Sequence, residues 1–323
     1  MSVPFWADAI TACPNGYRSR FLNWNQRASV RVKPQRDLSA DDVALLYFPP
    51  EQTPAIQHPL IQQRAQTSPD DLLVHRLYQY LRFTTDLEIV SVMPVVMRLS
   101  LGESGIALPP AMRADAFRIT TDEAWHAQFS FDMVAQVAAQ TGIQPALPQA
   151  PRFLQRLRRI RDLAGPDLAP LCDLLFAVVS ETLISAILSD IPNDQRIRSG
   201  VRELIRDHAE DEGRHHSYFR SLLGCLWPAL TDRERRLLGP LVPDLVRCFL
   251  EPDFDAIALS LLGLGLSQAE TEIVVAESYP ASQVRQSVCD AARSTVRYFA
   301  EVGALDLAEV KDAFAEAGML SHL

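Results

Sequence analysis

The sequence lacks the patterns that mark several common classes of protein. No stretch approaches the ~18 consecutive apolar residues of a membrane-spanning helix, and residues 1–8 show no basic region followed by an apolar one. No glycine-rich phosphate loop and no alternating strand pattern is present. The cysteines are scattered and include no Cys-x-x-Cys pair of the kind found in redox motifs. We therefore expect a cytoplasmic protein that does not insert into a membrane.

Length, composition and charge narrow the class further. The formal net charge is −9 and no strongly basic face dominates, which argues against a nucleic-acid partner. The 323 residues are 48% hydrophobic without a break in composition, so we expect one domain over 1–323. Helical periodicity predicts an all-α class. Residues 1–69 are expected to form an irregular cover, 70–227 a four-helix core, and 228–323 further helices that line a substrate pocket.

Two Glu-x-x-His motifs carry the strongest chemical signal. One consists of Glu123 and His126, and the other of Glu212 and His215. Residues three apart on a helix share a face, so each motif presents a carboxylate and an imidazole to one point. In four-helix di-iron carboxylate proteins, two helices carry this motif and each of the other two carries one glutamate. The pattern therefore requires two lone glutamates elsewhere.

Two glutamates meet that requirement. Glu88 lies in the apolar segment 87–93 and Glu181 in the apolar segment 174–184. A lone carboxylate is costly to bury unless a partner offsets it, and a metal ion is the simplest partner. Four carboxylates with a charge of about −4 would balance two Fe(II) ions with a charge of about +4. The order of single and paired ligands along the chain is that of an up-down bundle.

A further histidine, His208, precedes Glu212 by one helical turn and shares its face. With it, the candidate metal ligands are Glu88, Glu123, His126, Glu181, His208, Glu212 and His215. This set resembles that of the p-aminobenzoate N-oxygenase family of ferritin-like di-iron enzymes. His208 resembles that family's additional histidine ligand, and the segment 297–305 is also similar. The resemblance implies a ferritin-like four-helix di-iron core with extra N- and C-terminal helices.

The resemblance also implies an activity. Two iron ions would activate O2, with electrons from an external donor, and oxidise a substrate amine to the hydroxylamine, nitroso or nitro level in a biosynthetic pathway. The amine would be a small molecule, such as an arylamine, or would be tethered to an acyl or peptidyl carrier protein. A homodimer is left open.

Substrate-binding residues are harder to choose. Tyr80 lies two turns before Glu88, on the side where a pocket is expected. One turn after Glu181, where the family's p-aminobenzoate enzyme has an asparagine, this chain has Ser185, which weakens the case for a small free aryl carboxylate. A cation for a free substrate is sought among Arg285, Arg293 and Arg297. The basic cluster at 152–161 would instead suit a carrier protein, and we favour a tethered or amino-acid-derived amine.

Other functions fit parts of the pattern. A ferritin-like oxidase or hydroxylase that acts on carbon would keep the other six ligands and leave His208 outside the metal site. A non-enzymatic iron store does not explain the long C-terminal extension. A purely structural helical protein does not explain Glu88 and Glu181 in apolar runs. Iron content and amine-dependent O2 consumption discriminate among these alternatives.

Overall fold

The fold is helical throughout the part of the chain that the structure describes. A computed structural model describes residues 16–64, 69–188 and 190–321, without the side chains of 185–187. These residues form no strand. The β-pairing found among them is an isolated parallel bridge between Leu46 and Ile197. The prediction of an all-α fold is confirmed. None of the described helices has the length and apolar character needed to cross a bilayer.

The helices are numbered in chain order. They are α1 Trp24–Arg27, α2 Ser29–Val32, α3 Pro59–Gln62, α4 Pro69–Leu87, α5 Met93–Leu101, α6 Pro110–Thr141, α7 Arg152–Ala164, α8 Ala169–Leu188, α9 Ser199–Ala229, α10 Asp232–Leu238, α11 Val242–Leu250, α12 Phe254–Gly263, α13 Gln268–Ser278, α14 Ala281–Glu301 and α15 Ala308–Glu316. Four long rods form the core: α4 continued by α5, then α6, α8 and α9. The first rod packs along α6, α8 packs along α9, and α6 contacts α9.

The first rod is interrupted where it carries a predicted ligand. A π-helical segment, Glu88–Val92, joins α4 to α5, and the N–H of Met93 donates to the carbonyl of Glu88. Pro94 follows at the second position of α5 and has no N–H to return to the preceding turn. The sequence predicts one helix from Ser68 to Leu101 with a kink at Pro94. The structure widens the turn just before the proline instead, and Ser68 lies outside the described residues.

The N-terminal cover fixes the start of α9. The N–H of Leu46 donates to the carbonyl of Arg196 at 2.8 Å, and the N–H of Arg198 donates to the carbonyl of Leu46 at 3.0 Å. The sequence predicts that the helix of Glu212 starts at a cap formed by Asn193 and Asp194. The pairing with Leu46 keeps the chain extended there, so α9 begins at Ser199 instead. A Cβ added at Gly200 would lie 2.3 Å from the carbonyl oxygen of Asp37. Glycine is therefore required where the cover approaches α9.

The C-terminal helices enclose the third rod. Helices α11 and α14 pack on α8, α7 packs on α8 and α11, and α12 packs on α4. The sequence predicts one helix over 253–270, but the structure has α12 and α13 separated at Ser267. Ser267 and Glu270 form a capping box, in which each side chain accepts a hydrogen bond from the other's backbone N–H. That Ser-x-x-Glu spacing is a helix-start signal that the prediction missed.

Candidate metal centre

The two Glu-x-x-His motifs face each other across the core. Glu123 and His126 lie on α6, and Glu212 and His215 lie on α9. All four side chains are buried, and one ligand atom from each lies within 4.8 Å of the others. His215 Nδ1 lies 3.0 Å from Glu123 Oε1 and 3.3 Å from Glu212 Oε1. The structure therefore brings both predicted motifs to one point.

The two lone glutamates reach the same point from the other rods. Glu88 opens the π segment and Glu181 lies on α8, and both are 1% exposed. Their carboxylate oxygens lie within 4.8 Å of each other and of a Glu123 oxygen. Single π turns inside helices occur frequently at functional sites, because the wider turn shifts the direction of a side chain. Every rod of the core thus contributes to the site.

His208 also points into the site. It is fully buried on α9, and its Nε2 atom lies 3.2 Å from Glu212 Oε1 and 3.9 Å from Glu88 Oε1. The three residues form a group whose ligand atoms lie within 4.8 Å. The full set, here called the Glu/His cluster, consists of Glu88, Glu123, His126, Glu181, His208, Glu212 and His215.

The Glu/His cluster contains buried polar atoms that lack a hydrogen-bond partner. Leaving such an atom unpaired costs about 1–3 kcal/mol. The unpaired atoms are Glu88 Oε2, Glu123 Oε1, Glu181 Oε2, both carboxylate oxygens of Glu212, both ring nitrogens of His208 and His215 Nδ1. Carboxylate and imidazole donors are the ligands that iron and similar first-row metals take in proteins. The residues present therefore fit a metal centre.

Protonation in the cluster follows from burial and crowding. Burial, reinforced by the Glu123 and Glu212 carboxylates, raises the pKa of Glu88 well above its ordinary value. Burial and Glu212 raise the pKa of Glu181 in the same way. Burial and the neighbouring His126 lower the pKa of His208, which keeps that imidazole neutral. Neighbouring carboxylates outweigh burial and raise the pKa of His126 and His215. Since metals bind carboxylates and neutral imidazoles, loading the cluster should release protons from the two lone glutamates and from these two imidazoles.

Two aspartates hold the far nitrogens of the paired histidines. His126 Nε2 lies 3.2 Å from Asp211 Oδ2, and His215 Nε2 lies 3.2 Å from Asp122 Oδ2. Each aspartate directly precedes the glutamate of one motif and contacts the histidine of the other. Such contacts turn the near nitrogen toward the metal position and raise its basicity.

Sequence reasoning anticipated only part of this arrangement. From the sequence, either Asp207 or Asp211 is expected to orient a ligand imidazole through its second ring nitrogen. The structure places Asp211 there, and it also places Asp122, which that expectation does not include. Asp207 instead contacts Arg36 Nε at 2.6 Å and Lys33 Nζ at 3.4 Å. The missed signal is that both motifs read Asp-Glu-x-x-His, at 122–126 and at 211–215.

A cavity of about 200 Å³ opens beside α4, and we call it the Tyr80 cavity. Its walls include the aromatic rings of Tyr80, Phe83, Phe153 and Phe249 and the guanidinium of Arg76. Phe83 lies against both other phenylalanines, with ring centroids 5.1 and 5.5 Å apart. The Tyr80 hydroxyl is buried without a hydrogen-bond partner.

The Tyr80 cavity and the Glu/His cluster are related through one helix face. Tyr80, Thr84 and Glu88 are spaced by four residues, so their side chains lie above one another along the first rod. The charges of Glu88 and Glu212 raise the pKa of Tyr80 further, after the larger effect of burial. Tyr80 is therefore the lining residue through which the cavity is related to the cluster, about two helical turns from Glu88.

The other residues predicted to contact substrate lie elsewhere. Arg285, Arg293 and Arg297 are exposed on α14. Arg293 pairs with Asp290, and the nearest carboxylate to Arg297 Nε belongs to Glu301, at 3.9 Å. The arginines that line the Tyr80 cavity come from α4 and α7 instead. The side chain of Ser185 lies outside the described part of the chain.

The basic cluster at 152–161 is neutralised in part, because three of its five arginines face carboxylates. Arg156 pairs with Glu251, and Arg161 Nε lies 3.1 Å from Asp173 Oδ1. The backbone N–H of Arg152 donates to Asp253, and its guanidinium lies 3.4 Å from Asp255. Arg158 and Arg159 are exposed, and no ion pair among the described residues includes them, so two of the five arginines remain free for a docking partner.

Comparison with known proteins agrees with the geometry. The p-aminobenzoate N-oxygenase family model matches residues 22–303, a range that includes the entire Glu/His cluster. The 4-aminobenzoate N-oxygenase of Streptomyces thioluteus is 25% identical over 256 residues, which cover 78% of this chain and 76% of that enzyme. The family has a ferritin-like di-iron fold, so both the predicted family and the predicted fold are confirmed. The chain belongs to the p-aminobenzoate N-oxygenase family of enzymes.

Proposed function

We propose that this enzyme is a di-iron N-oxygenase whose substrate is a small arylamine that carries an anionic group. The observation that carries the proposal is the convergence of four carboxylates and three imidazoles, buried and with inward-facing atoms unpaired. Two iron ions bound there would supply electrons to O2 and direct the oxygen to the amine.

The residues of the cluster would divide the work of holding the metal ions. Glu88, Glu123 and Glu212 each belong to two of the three ligand groups, so these carboxylates would contribute to both parts of the centre. Asp122 and Asp211 fix the paired histidines so that Nδ1 of each faces inward. His208 adds a neutral donor beside Glu88 and Glu212, which makes the two metal positions inequivalent.

The Tyr80 cavity would receive the aromatic ring. Its volume of about 200 Å³ is below the ~300–1,000 Å³ of pockets for drug-sized ligands, which favours a single substituted ring. Phe83, Phe153 and Phe249 offer ring faces and edges to stack against. The amine would lie at the Tyr80 end, toward Glu88, and the apolar walls would exclude water from the reacting nitrogen.

Arg76 would bind the anionic group. The described residues include no carboxylate paired with it, and its one protein hydrogen bond is a 3.4 Å contact with the carbonyl of Gln52. Its guanidinium lies 4.8 Å from the centroid of the Phe48 ring, and burial lowers its pKa. An arginine without a partner in a partly apolar cavity favours a carboxylate ligand. The 4-aminobenzoate in the relative's name has this chemistry.

Two earlier alternatives lose support. The basic cluster at 152–161 favours a carrier-tethered amine on sequence alone, but three of its five arginines face carboxylates, which leaves Arg158 and Arg159 for a docking partner. A carbon oxidase or hydroxylase would leave His208 outside the site, whereas its Nε2 atom lies 3.2 Å from Glu212. We therefore place N-oxygenation of a free arylamine first.

Product analysis tests the proposal. Protein loaded anaerobically with Fe(II) is mixed with ¹⁸O2 and 4-aminobenzoate, and the products are identified by mass spectrometry. We expect ¹⁸O on the amine nitrogen. Label on a ring carbon, or recovery of unchanged amine from protein that holds two irons, would contradict the proposal. Aniline, which lacks the carboxylate, serves as the matched substrate and should react only at much higher concentration.

A further inference from the structure

A hydrogen-bonded chain runs from the cluster to an indole near the surface. His215 Nε2 contacts Asp122 Oδ2 at 3.2 Å, and the N–H of Trp24 donates to both oxygens of Asp122 at 2.9 Å. His215 and Asp122 are fully buried, whereas Trp24 is only half-buried. Two hydrogen bonds thus connect a residue at the protein surface with a side chain of the Glu/His cluster.

The corresponding hydrogen-bonded chain from His126 ends in groups of another kind. Asp211, which holds His126, accepts from the backbone N–H of Ser29 at 3.1 Å and pairs with Arg214. Neither partner is a side chain that can be oxidised or reduced. Orienting an imidazole therefore does not require an aromatic partner, and Trp24 is an additional feature of one side of the site.

The surface around Trp24 is basic in an otherwise acidic protein. Residues 16–36 contain six arginines and lysines and no aspartate or glutamate, although the net charge of the chain is −9. Lys33 and Arg36 are paired with carboxylates of α9. No ion pair within the described residues involves the other four, which are exposed: Arg18, Arg20, Arg27 and Arg31.

Two further features suit this surface to a protein partner. The Arg31 guanidinium lies 5.7 Å from the centroid of the Trp24 ring, so free positive charge adjoins the indole. Leu22 is 91% exposed and Val32 is 47% exposed, although both are apolar. Exposed apolar side chains with unpaired charges of one sign around them favour a partner of opposite charge.

We propose that Trp24 is the point at which electrons enter the metal centre, from an acidic one-electron carrier protein that docks on Arg18, Arg20, Arg27 and Arg31. This inference rests on the proposed di-iron function. Two carrier molecules, each giving one electron in turn, return two ferric ions to the ferrous state. The electrons pass through the indole, Asp122 and His215 without breaking a covalent bond or changing the net oxidation state of Trp24.

Reduction kinetics test the role of the indole. A reduced, acidic [2Fe–2S] ferredoxin is mixed with the ferric-loaded protein, and the loss of ferric absorption is followed by stopped flow. Trp24→Phe should lose most of the limiting rate at saturating ferredoxin, and Trp24→Tyr, which keeps a polar aromatic ring, should recover part of it. Trp125→Phe is the matched control, since that indole packs edge-on against Phe129 and is part of neither hydrogen-bonded chain. Equal limiting rates for Trp24→Phe and the wild type would overturn the proposal.

A merely structural role for Trp24 gives a different result. If the indole only positioned Asp122 and His215, Trp24→Phe would change the ferric absorption spectrum and slow reduction by dithionite and by ferredoxin alike. We expect an unchanged spectrum and unchanged reduction by dithionite. A defect of equal size with both reductants would overturn the proposal.

Charge reversal tests the docking surface. The double variant R27E/R31E should lower the second-order rate constant for ferredoxin by about tenfold or more at low salt, with the limiting rate retained. High salt should reduce the difference between variant and wild type. A rate constant equal to that of the wild type, or no reduction of the wild type by the ferredoxin, would overturn the docking assignment.

One control separates this inference from the proposed function. Protein that has been reduced chemically in advance needs no carrier, so wild type and the surface variant R27E/R31E should oxidise 4-aminobenzoate equally in a single turnover. If neither does, the proposed function fails. If both do and Trp24→Phe also accepts electrons from ferredoxin normally, only the electron-entry role fails.

Discussion

The Glu/His cluster and the Tyr80 cavity are opposite cases of unmatched charge. In the cluster, four buried carboxylates meet around inward-facing atoms that have no partner. In the cavity, the Arg76 guanidinium forms no ion pair with a described carboxylate, although Glu251 and Asp253 also line that cavity. Another arginine of the same cavity, Arg156, is paired with Glu251. The two arginines of one cavity thus differ, because Arg156 has a carboxylate partner among the described residues and Arg76 has none.

The comparison indicates the charge of each missing ligand. Burial of unpaired charge is costly, so a stable fold keeps it only where a ligand supplies the counter-charge. The cluster requires cations, and Arg76 requires an anion. The variants below alter one region at a time and are ordered from the largest expected effect to the smallest.

Removing a carboxylate from the cluster should have the largest effect. Glu181→Ala should abolish assembly of the two-iron centre, because Glu181 is the one residue of the cluster on α8. Iron content after anaerobic loading and desalting measures the result. Retention of two irons per chain would contradict the assignment of Glu181. The neighbouring Thr182→Ala is the control, since that hydroxyl bonds within the protein to the carbonyl of Val178.

Removing the cation from the cavity should weaken substrate binding and leave the metal centre intact. Arg76→Met should raise the KM for 4-aminobenzoate by about 10- to 100-fold, which corresponds to the ~1.5–3 kcal/mol of a charge-assisted hydrogen bond. The KM for aniline should not change. Arg156→Met is the matched control, because that arginine lines the same cavity with a carboxylate partner. Equal effects on both substrates would show that Arg76 does not bind an anion.

The two aspartates behind the paired histidines should differ in importance. Outer contacts of this kind are worth roughly 10- to 100-fold in metal affinity or activity. Asp211→Asn should cost more than Asp122→Asn, because it also leaves Arg214 without its carboxylate. Burial raises the pKa of Asp122, whereas His126 and Ser29 outweigh burial and hold the pKa of Asp211 at about 2. Metal titration of each variant checks the order, and a larger loss for Asp122→Asn would reverse it.

His208 should have the smallest effect on assembly. Its Nε2 atom lies 3.2 Å from Glu212 Oε1, and its replacement leaves the other six residues of the cluster in place. His208→Ala should therefore fold and still bind iron, with weaker affinity at one of the two positions, and should lose or alter N-oxygenation. Calorimetric metal titration and product analysis measure the two effects separately. Unchanged affinity together with unchanged products would refute a seventh ligand.

The spacing of residues along single helices was enough to predict the cluster. Glu88, Glu181 and the two Glu-x-x-His motifs each bring a distinctive local pattern, and a helix converts that pattern into a shared face. His208 was found in the same way, since it lies one turn before Glu212. The all-α fold followed from the same periodicity.

Helical spacing within one segment does not predict contacts between segments that are far apart in the sequence. Trp24 and Asp122 are 98 positions apart, and no helical period relates them. Residues of α7 and α11 form the cavity around Arg76, and they lie beside α4 only in the folded chain. Three arginines of α14 were expected to offer a cation to the substrate, and they are exposed instead: Arg285, Arg293 and Arg297. The charge of a residue does not tell which face of its helix is exposed. The start of α9 was misplaced because a bridge to Leu46, and not a cap, determines it.

Stopped-flow absorption is the most direct test of the central claim, that the Glu/His cluster holds two irons that oxidise an arylamine. The Fe(II)-loaded protein is mixed with O2, with and without 4-aminobenzoate. We predict an absorption band that forms after mixing and decays faster when 4-aminobenzoate is present, with less acceleration by aniline at the same concentration. Absence of any O2-dependent band, or a decay that no arylamine changes, would contradict the account.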